Sequence, residues 1–102
     1  MEKKLYIKRY MKTKKITSLN NPELKFLISL KKNKLRRNEN KSIAEGYREN
    51  VQLIGSNYEI DTLYICSELF IGNNNFELID KFKIKQIRIV ELSKKVFDSL
   101  SY

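Results

Sequence analysis

The 102-residue sequence has no histidine and no tryptophan, and it has one cysteine, one proline and three glycines. Without histidine and with Cys66 alone, a single chain cannot form a Cys/His zinc site, a His-based acid–base site or a disulfide framework. The glycines at positions 46, 55 and 72 are too scattered for a phosphate-binding loop. We interpret Cys66, which lies in a strand-like run, as a buried packing residue. The residues alone therefore do not indicate a self-sufficient enzyme.

Long apolar runs are also missing, and residues 1–15 are too charged to be a secretory signal. We therefore expect a cytoplasmic protein with no membrane partner and no metal. Leu, Ile, Val and Phe together fill 32 of the 102 positions, which is enough for the core of one compact domain.

Acidic residues are scarce in the first part of the chain. Residues 1–41 contain 14 Lys or Arg and only three Asp or Glu, whereas residues 42–102 contain seven and nine. Such an uneven distribution suggests a surface for a polyanion on an otherwise ordinary globular domain. Residues 1–15 are rich in Lys and Arg and show no clear period, so we expect a basic flexible tail. It could be a solubilising extension or a phosphate-binding arm.

The first helix signal begins at Asn21, which can cap a helix that has Pro22 at its first position. Apolar residues from Leu24 to Leu35 follow at helical spacing, so one side of the helix should be buried. Basic residues collect on and beside the opposite side. They are Lys25, Lys32, Arg36 and Arg37.

The rest of the chain alternates short apolar runs with helical patterns. We expect strands at residues 42–45, 62–66 and 86–90, and helices from Tyr47, from about Phe76 to Phe82, and after Ser93. Right-handed crossovers would then give an α/β fold with a small, mainly parallel sheet and helices on both faces.

Residues at the start of the second helix are further candidates for contact with a ligand. Arg48 opens this helix and can bind a phosphate. Gly46 can be a turn glycine alone, or it can provide a tight turn that also lets the backbone of a polyanion approach closely. Tyr47 could stack on a base, but its spacing from Val51 and Ile54 favours packing in the core.

Three motifs in order resemble the amino-terminal substrate-binding domain of SpoU/TrmH-type RNA 2′-O-ribose methyltransferases. That pattern is I-x-S-x-x-N-P-x-x-K, then a basic helix end, then a strand ending in E-G-x-R or E-G-x-K. Here the matching residues run from Ile16 to Lys25, then include Arg36 and Arg37, and then run from Ile43 to Arg48. The likeness extends over residues 16–102.

This resemblance implies a fold similar to the ribosomal proteins that bind kink-turn RNA, and a domain that recognises rRNA or tRNA. Lys25, Lys32, Arg36, Arg37 and Arg48 are its implied RNA-binding residues. In the family, a separate SPOUT domain binds S-adenosylmethionine, performs catalysis and forms the homodimer. We expect that domain beyond the chain end, and no catalytic or cofactor-binding residue within the segment.

Two other interpretations stay open. One is a stand-alone kink-turn-type RNA-binding protein, although the stretch from Gly46 to Gln52 departs from the G-x-N-E-x-x-K pattern of those proteins. The other is a protein-interaction module, which the balanced second half suits and the basic first half does not.

Overall fold

A computed structural model describes residues 14–32 and 41–100. Three strands form a parallel sheet in the order β1–β3–β2. The strands are β1 (Lys14–Ile16), β2 (Thr62–Ile65) and β3 (Arg88–Leu92). The helices are α1 (Pro22–Lys31), α2 (Tyr47–Ile54), α3 (Asn74–Ile84) and α4 (Lys94–Leu100), with a 3-10 turn at Ser67–Leu69.

Helices cover both faces of the sheet, as predicted, because strand side chains alternate between faces. Helices α1 and α4 pack on one face around a cluster of fully buried side chains. The members of this first cluster are Ile16, Leu24, Val90, Leu92 and Val96. Helices α2 and α3 pack on the other face. The members of that second cluster are Ile54, Leu63, Leu78, Ile79, Phe82, Ile87 and Ile89. The predicted α/β class is confirmed.

Local signals account for the ends of α1 and α4. The Asn21 side chain accepts hydrogen bonds from the backbone N–H groups of Glu23 (2.8 Å) and Leu24 (3.4 Å), and Pro22 is the first helical residue. The Ser93 hydroxyl accepts a bond from the Val96 N–H at 3.3 Å. Both caps satisfy helix-end donors that would otherwise lack partners.

One predicted strand is absent, and a different strand takes part in the sheet. Residues 42–45 are irregular, with Ile43 only half-buried and Ala44 exposed. The charged residues at the two ends of this segment form ion pairs instead, Lys41 with Asp61 (3.1 Å) and Glu45 with Lys31 (3.3 Å). The first strand of the sheet is β1, which begins at Lys14, inside the segment predicted as a tail. The first 13 residues of that predicted tail lie outside the described residues.

Two side chains that we expected in the core are exposed. Tyr47 is 45% exposed and Val51 37%. Of the residues in α2, only Ile54, at its last position, is buried. The i, i+4, i+7 spacing therefore places Tyr47 and Val51 on one side of α2, but only the end of that side reaches the core.

Candidate nucleic-acid interface

The outer side of α1 carries two exposed lysines one above the other. Lys25 and Lys32 are both exposed, and Ser29 lies between them, its hydroxyl donating a hydrogen bond to the Lys25 carbonyl at 3.0 Å. Within the described residues neither lysine forms an ion pair. Arg36 and Arg37, predicted to continue this surface, lie outside the described residues. The helix therefore presents uncompensated positive charge away from the core.

Lys31 joins the end of α1 to the start of α2. Its ammonium group donates to the Glu45 carboxylate at 3.3 Å and to the backbone carbonyl of Leu100. Arg48 lies in the first turn of α2, three positions after Glu45, and its side chain is exposed. The ion pair between Lys31 and Glu45 therefore joins the end of α1 to the residues just before Arg48. Lys25, Lys32 and Arg48 are all exposed, and we call these three residues the basic end.

Gly46 lies between Glu45 and α2 in a backbone conformation that suits glycine. Its φ of 96° and ψ of 161° fall in a region that is almost exclusive to glycine. The Asn50 side chain secures the turn by donating to the Gly46 carbonyl at 2.7 Å. A Cβ at position 46 would meet no atom within 4 Å, so conformation and not crowding requires the glycine. The same open space leaves the backbone of this turn accessible to a ligand.

Tyr47 stands next to Arg48 at this turn. Since its ring is about half exposed, the prediction that it packs in the core is wrong. An exposed aromatic ring beside a cation can stack on a base while the cation contacts a phosphate.

A second group of charged side chains forms ion pairs within the domain. Glu23, in the first turn of α1, accepts two bonds from the Arg88 guanidinium (2.6 and 2.9 Å), one from Lys14 (3.2 Å) and one from the Tyr64 hydroxyl (2.5 Å). The Arg88 hydrogen bonds, aided by those from Tyr64 and Lys14, lower the pKa of Glu23 to about 2. Burial and the Glu23 carboxylate raise the pKa of Tyr64 above its usual value. Lys14 and Arg88 therefore tie β1 and β3 to α1, and they share the single negative charge of Glu23.

Lys41 also has partners within the domain. It forms an ion pair with Asp61, and its ammonium group lies 5.9 Å from the centre of the Phe26 ring. Hydrogen bonds from Lys41 and Thr62 lower the pKa of Asp61. Lys41 therefore holds the start of this segment against Phe26 of α1 and against Asp61, which directly precedes β2.

The described residues contain no arrangement that indicates catalysis. No group of three or more Cys, Asp or Glu side chains in residues 14–32 and 41–100 could hold a metal ion. Cys66 is buried, as predicted, and burial raises the pKa of its thiol. No helix in the described part of the chain is long and apolar enough to cross a membrane. What the basic end can do chemically is bind anions.

A small parallel α/β domain whose described residues include exposed cations without acidic partners is suited to bind a polyanion. The comparisons with known proteins give its family. Residues 21–102 match the model of the MRM3-like substrate binding domain, so the chain belongs to that family of RNA methyltransferase amino-terminal domains. Comparisons with curated proteins and with solved structures find no significant match. The predicted resemblance to a SpoU/TrmH-type substrate-binding domain is confirmed, and the role that the family indicates is recognition of RNA for a methyltransferase.

Sequence reasoning missed two features of this surface. It did not identify Lys31 as the link to Glu45, because the two residues are 14 positions apart in the chain. It also did not separate Arg88, which is held by Glu23 from 65 positions away, from the basic residues that have no acidic partner. A signal was available for Tyr47: its immediate neighbour is Arg48, and aromatic–basic pairs are common in RNA-binding surfaces.

Proposed function

We propose that the basic end holds structured RNA, either rRNA or tRNA, for an S-adenosylmethionine-dependent 2′-O-ribose methyltransferase of the cytoplasm. The cofactor would bind a catalytic domain of the longer protein, which would also provide the homodimer contact. This domain would contribute affinity and orientation and no chemistry. The observation that carries the proposal is that Lys25, Lys32 and Arg48 are exposed and have no acidic partner within the described residues.

The charges at the basic end support RNA over other partners. An exposed lysine or arginine without an acidic partner gains more from a phosphate than one that must first leave a carboxylate. Three such side chains, the open turn at Gly46 and the exposed ring of Tyr47 combine phosphate contacts with a stacking position. Sequence-independent phosphate contacts fix how an RNA is oriented, which is what a substrate-binding domain must provide.

The test is filter binding of a structured RNA, such as a tRNA transcript, over a range of salt concentrations. Each phosphate contact contributes roughly −0.7 to −0.9 to the slope of log affinity against log salt, so the intact chain should give about −3 to −5. Replacing Lys25, Lys32 and Arg48 together by Ala should reduce the affinity about ten- to a hundredfold and make the slope shallower by about 2 to 3.

The matched control removes the same charge elsewhere. Lys81, Lys94 and Lys95 are exposed, and the Lys94 ion pair with Asp98 is itself exposed, so their replacement by Ala should leave the fold intact. If this variant loses as much affinity as the first, binding is a diffuse charge effect and the basic end is not the site. A wild-type chain that fails to bind at low salt contradicts RNA recognition by this domain.

A further inference from the structure

A groove of about 410 Å³ opens at the carboxyl ends of β2 and β3, on the face of the sheet that α3 covers. After β2 the chain crosses to α3 on this face, whereas after β3 it crosses to α4 on the opposite face. In open parallel sheets, ligands bind in the crevice where neighbouring strands send the chain to opposite faces. The topology therefore places a ligand position here, independently of the basic end.

The floor of the groove is a row of three side chains across the sheet. Lys15, Glu91 and Ile65 are register partners in β1, β3 and β2, so their side chains point to the same face. The wall is aromatic: the Phe76 ring meets that of Phe70 edge to face, with centroids 5.3 Å apart at 85°. Phe76 nevertheless remains 52% exposed, so part of its ring is open to a flat ligand.

The groove carries two cations that have no acidic partner among the described residues. They are Lys15 on the floor and Lys83 on α3, and both are exposed. The Glu91 carboxylate is partly engaged, because one of its oxygens accepts bonds from the N–H and the hydroxyl of Ser67, both at 2.8 Å. Within the described part of the chain its other oxygen, Oε1, accepts no hydrogen bond. The groove thus offers a flat apolar surface, two phosphate partners and one acceptor.

We propose that this groove binds one unpaired nucleotide of the RNA that the domain recognises, an inference that rests on the proposed function. The base stacks on Phe76, the flanking phosphates contact Lys15 and Lys83, and Oε1 of Glu91 accepts a hydrogen bond from an amino group of the base. The combination of aromatic stacking with lysine contacts fits a nucleotide, since every base has a flat aromatic face and a phosphate attached.

The carboxylate oxygen Oε1 of Glu91 predicts a preference for bases that carry an amino group. Cytosine presents an amino group where uracil presents a carbonyl oxygen, and a carboxylate can only accept. In Glu91→Gln the amide oxygen should keep the two bonds from Ser67, which places the amide NH2 toward the groove. That group donates, so the variant should lose the preference for cytosine or reverse it.

The experiment compares single-stranded octacytidylate with octauridylate, because neither forms a stable duplex that would compete with the groove. Fluorescence anisotropy at low salt should show wild-type binding to octacytidylate about three- to tenfold tighter than to octauridylate. Phe76→Leu, which keeps an apolar side chain but removes the ring, should weaken the binding of both oligonucleotides about tenfold. Equal affinity of the wild type for the two oligonucleotides overturns the role of Glu91.

Matched controls separate the groove from general charge and from the basic end. Lys81 and Lys83 are both exposed on α3, but only Lys83 lines the groove, so Lys83→Ala should weaken binding and Lys81→Ala should not. Thermal melting of each variant confirms that the fold is retained. If Phe76→Leu and Lys83→Ala bind the oligonucleotides as Lys81→Ala does, the groove proposal is wrong. The proposed function is tested separately. If the tRNA transcript still binds less tightly to the Lys25, Lys32 and Arg48 variant than to the wild type, the proposed function stands even though the groove proposal is wrong.

Discussion

Glu23 should make the stability of this domain depend on pH in the acid range. Its carboxylate accepts four hydrogen bonds from Arg88, Lys14 and Tyr64, and these lower its pKa from the usual 4.5 to about 2. A carboxyl group whose pKa is lower in the folded state stabilises the fold above its unfolded pKa. That stability is lost as the pH falls from about 4.5 toward 2.

The size of the effect follows from the shift and from the exposure of the partners. One pKa unit corresponds to about 1.4 kcal/mol, so the shift from 4.5 to 2 sets an upper value near 3.4 kcal/mol. Glu23 is only 18% exposed, but Arg88 and Lys14 are 45% and 51% exposed, and solvent weakens such pairs. We therefore expect Glu23→Gln to lower the free energy of unfolding by about 2 kcal/mol at pH 7. For a domain of this size, that corresponds to about 8–16 °C in Tm.

The assay is urea unfolding of the wild type and of Glu23→Gln at several pH values between 7 and 2.5. The difference between the two should be largest at neutral pH and should shrink below pH 4.5, as protonation removes the wild-type carboxylate. Glu45→Gln is the control, because Glu45 is 62% exposed and forms one ion pair. Glu45→Gln should lower the free energy of unfolding by less than about 1 kcal/mol. A difference for Glu23→Gln that is independent of pH, or no larger than that of the control, would refute the reasoning.

The remaining predictions concern single residues of the fold. Gly46→Ala should cost about 1–3 kcal/mol by thermal melting because of the positive φ, whereas Gly55→Ala, at a φ of −90° and with its nearest contacts at 3.8 and 3.9 Å, should cost little. Asn21→Ala should cost about 1 kcal/mol through the lost cap, and Asn73→Ala, whose side chain makes no cap bond, should cost less. Tyr64→Phe should cost about 1 kcal/mol by removing one bond to Glu23.

Elements with local signals could be predicted from the sequence. Asn21 and Pro22 mark the start of α1 by capping and by a preset φ, and both properties depend on neighbouring residues alone. The run at residues 62–66 is apolar on both sides, which predicts a central parallel strand. The strand β2 does form there, but it lies at the edge of the sheet, because β3 takes the central position. The exposure of Lys25 on α1, and of Lys32 directly after the helix, follows from the same helical period that buries Leu24 and Leu27.

Elements that depend on distant partners could not be predicted. Residues 42–45 have a strand-like pattern but lie outside the sheet, and Lys41 and Glu45 at the two ends of the segment pair with the distant residues Asp61 and Lys31. Likewise, the period of α2 correctly identifies one side of the helix but not how much of that side reaches the core. Exposure of Tyr47 depends on the position of α2 at the edge of the second cluster, which no local pattern contains.

Net charge overstates how many phosphates this domain can contact. The chain has a net charge of +9, yet several of its basic side chains are used inside the fold. Arg88 and Lys14 neutralise Glu23, Lys31 joins two helices, and Lys41 holds Asp61. An RNA would have to break these contacts to use those charges, whereas Lys25, Lys32 and Arg48 need break none within the described residues. The salt dependence of RNA binding should therefore reflect the cations that lack an acidic partner and not the total. Lys25, Lys32 and Arg48 account for about −2 to −3 of the expected slope of about −3 to −5, and further phosphate contacts account for the rest.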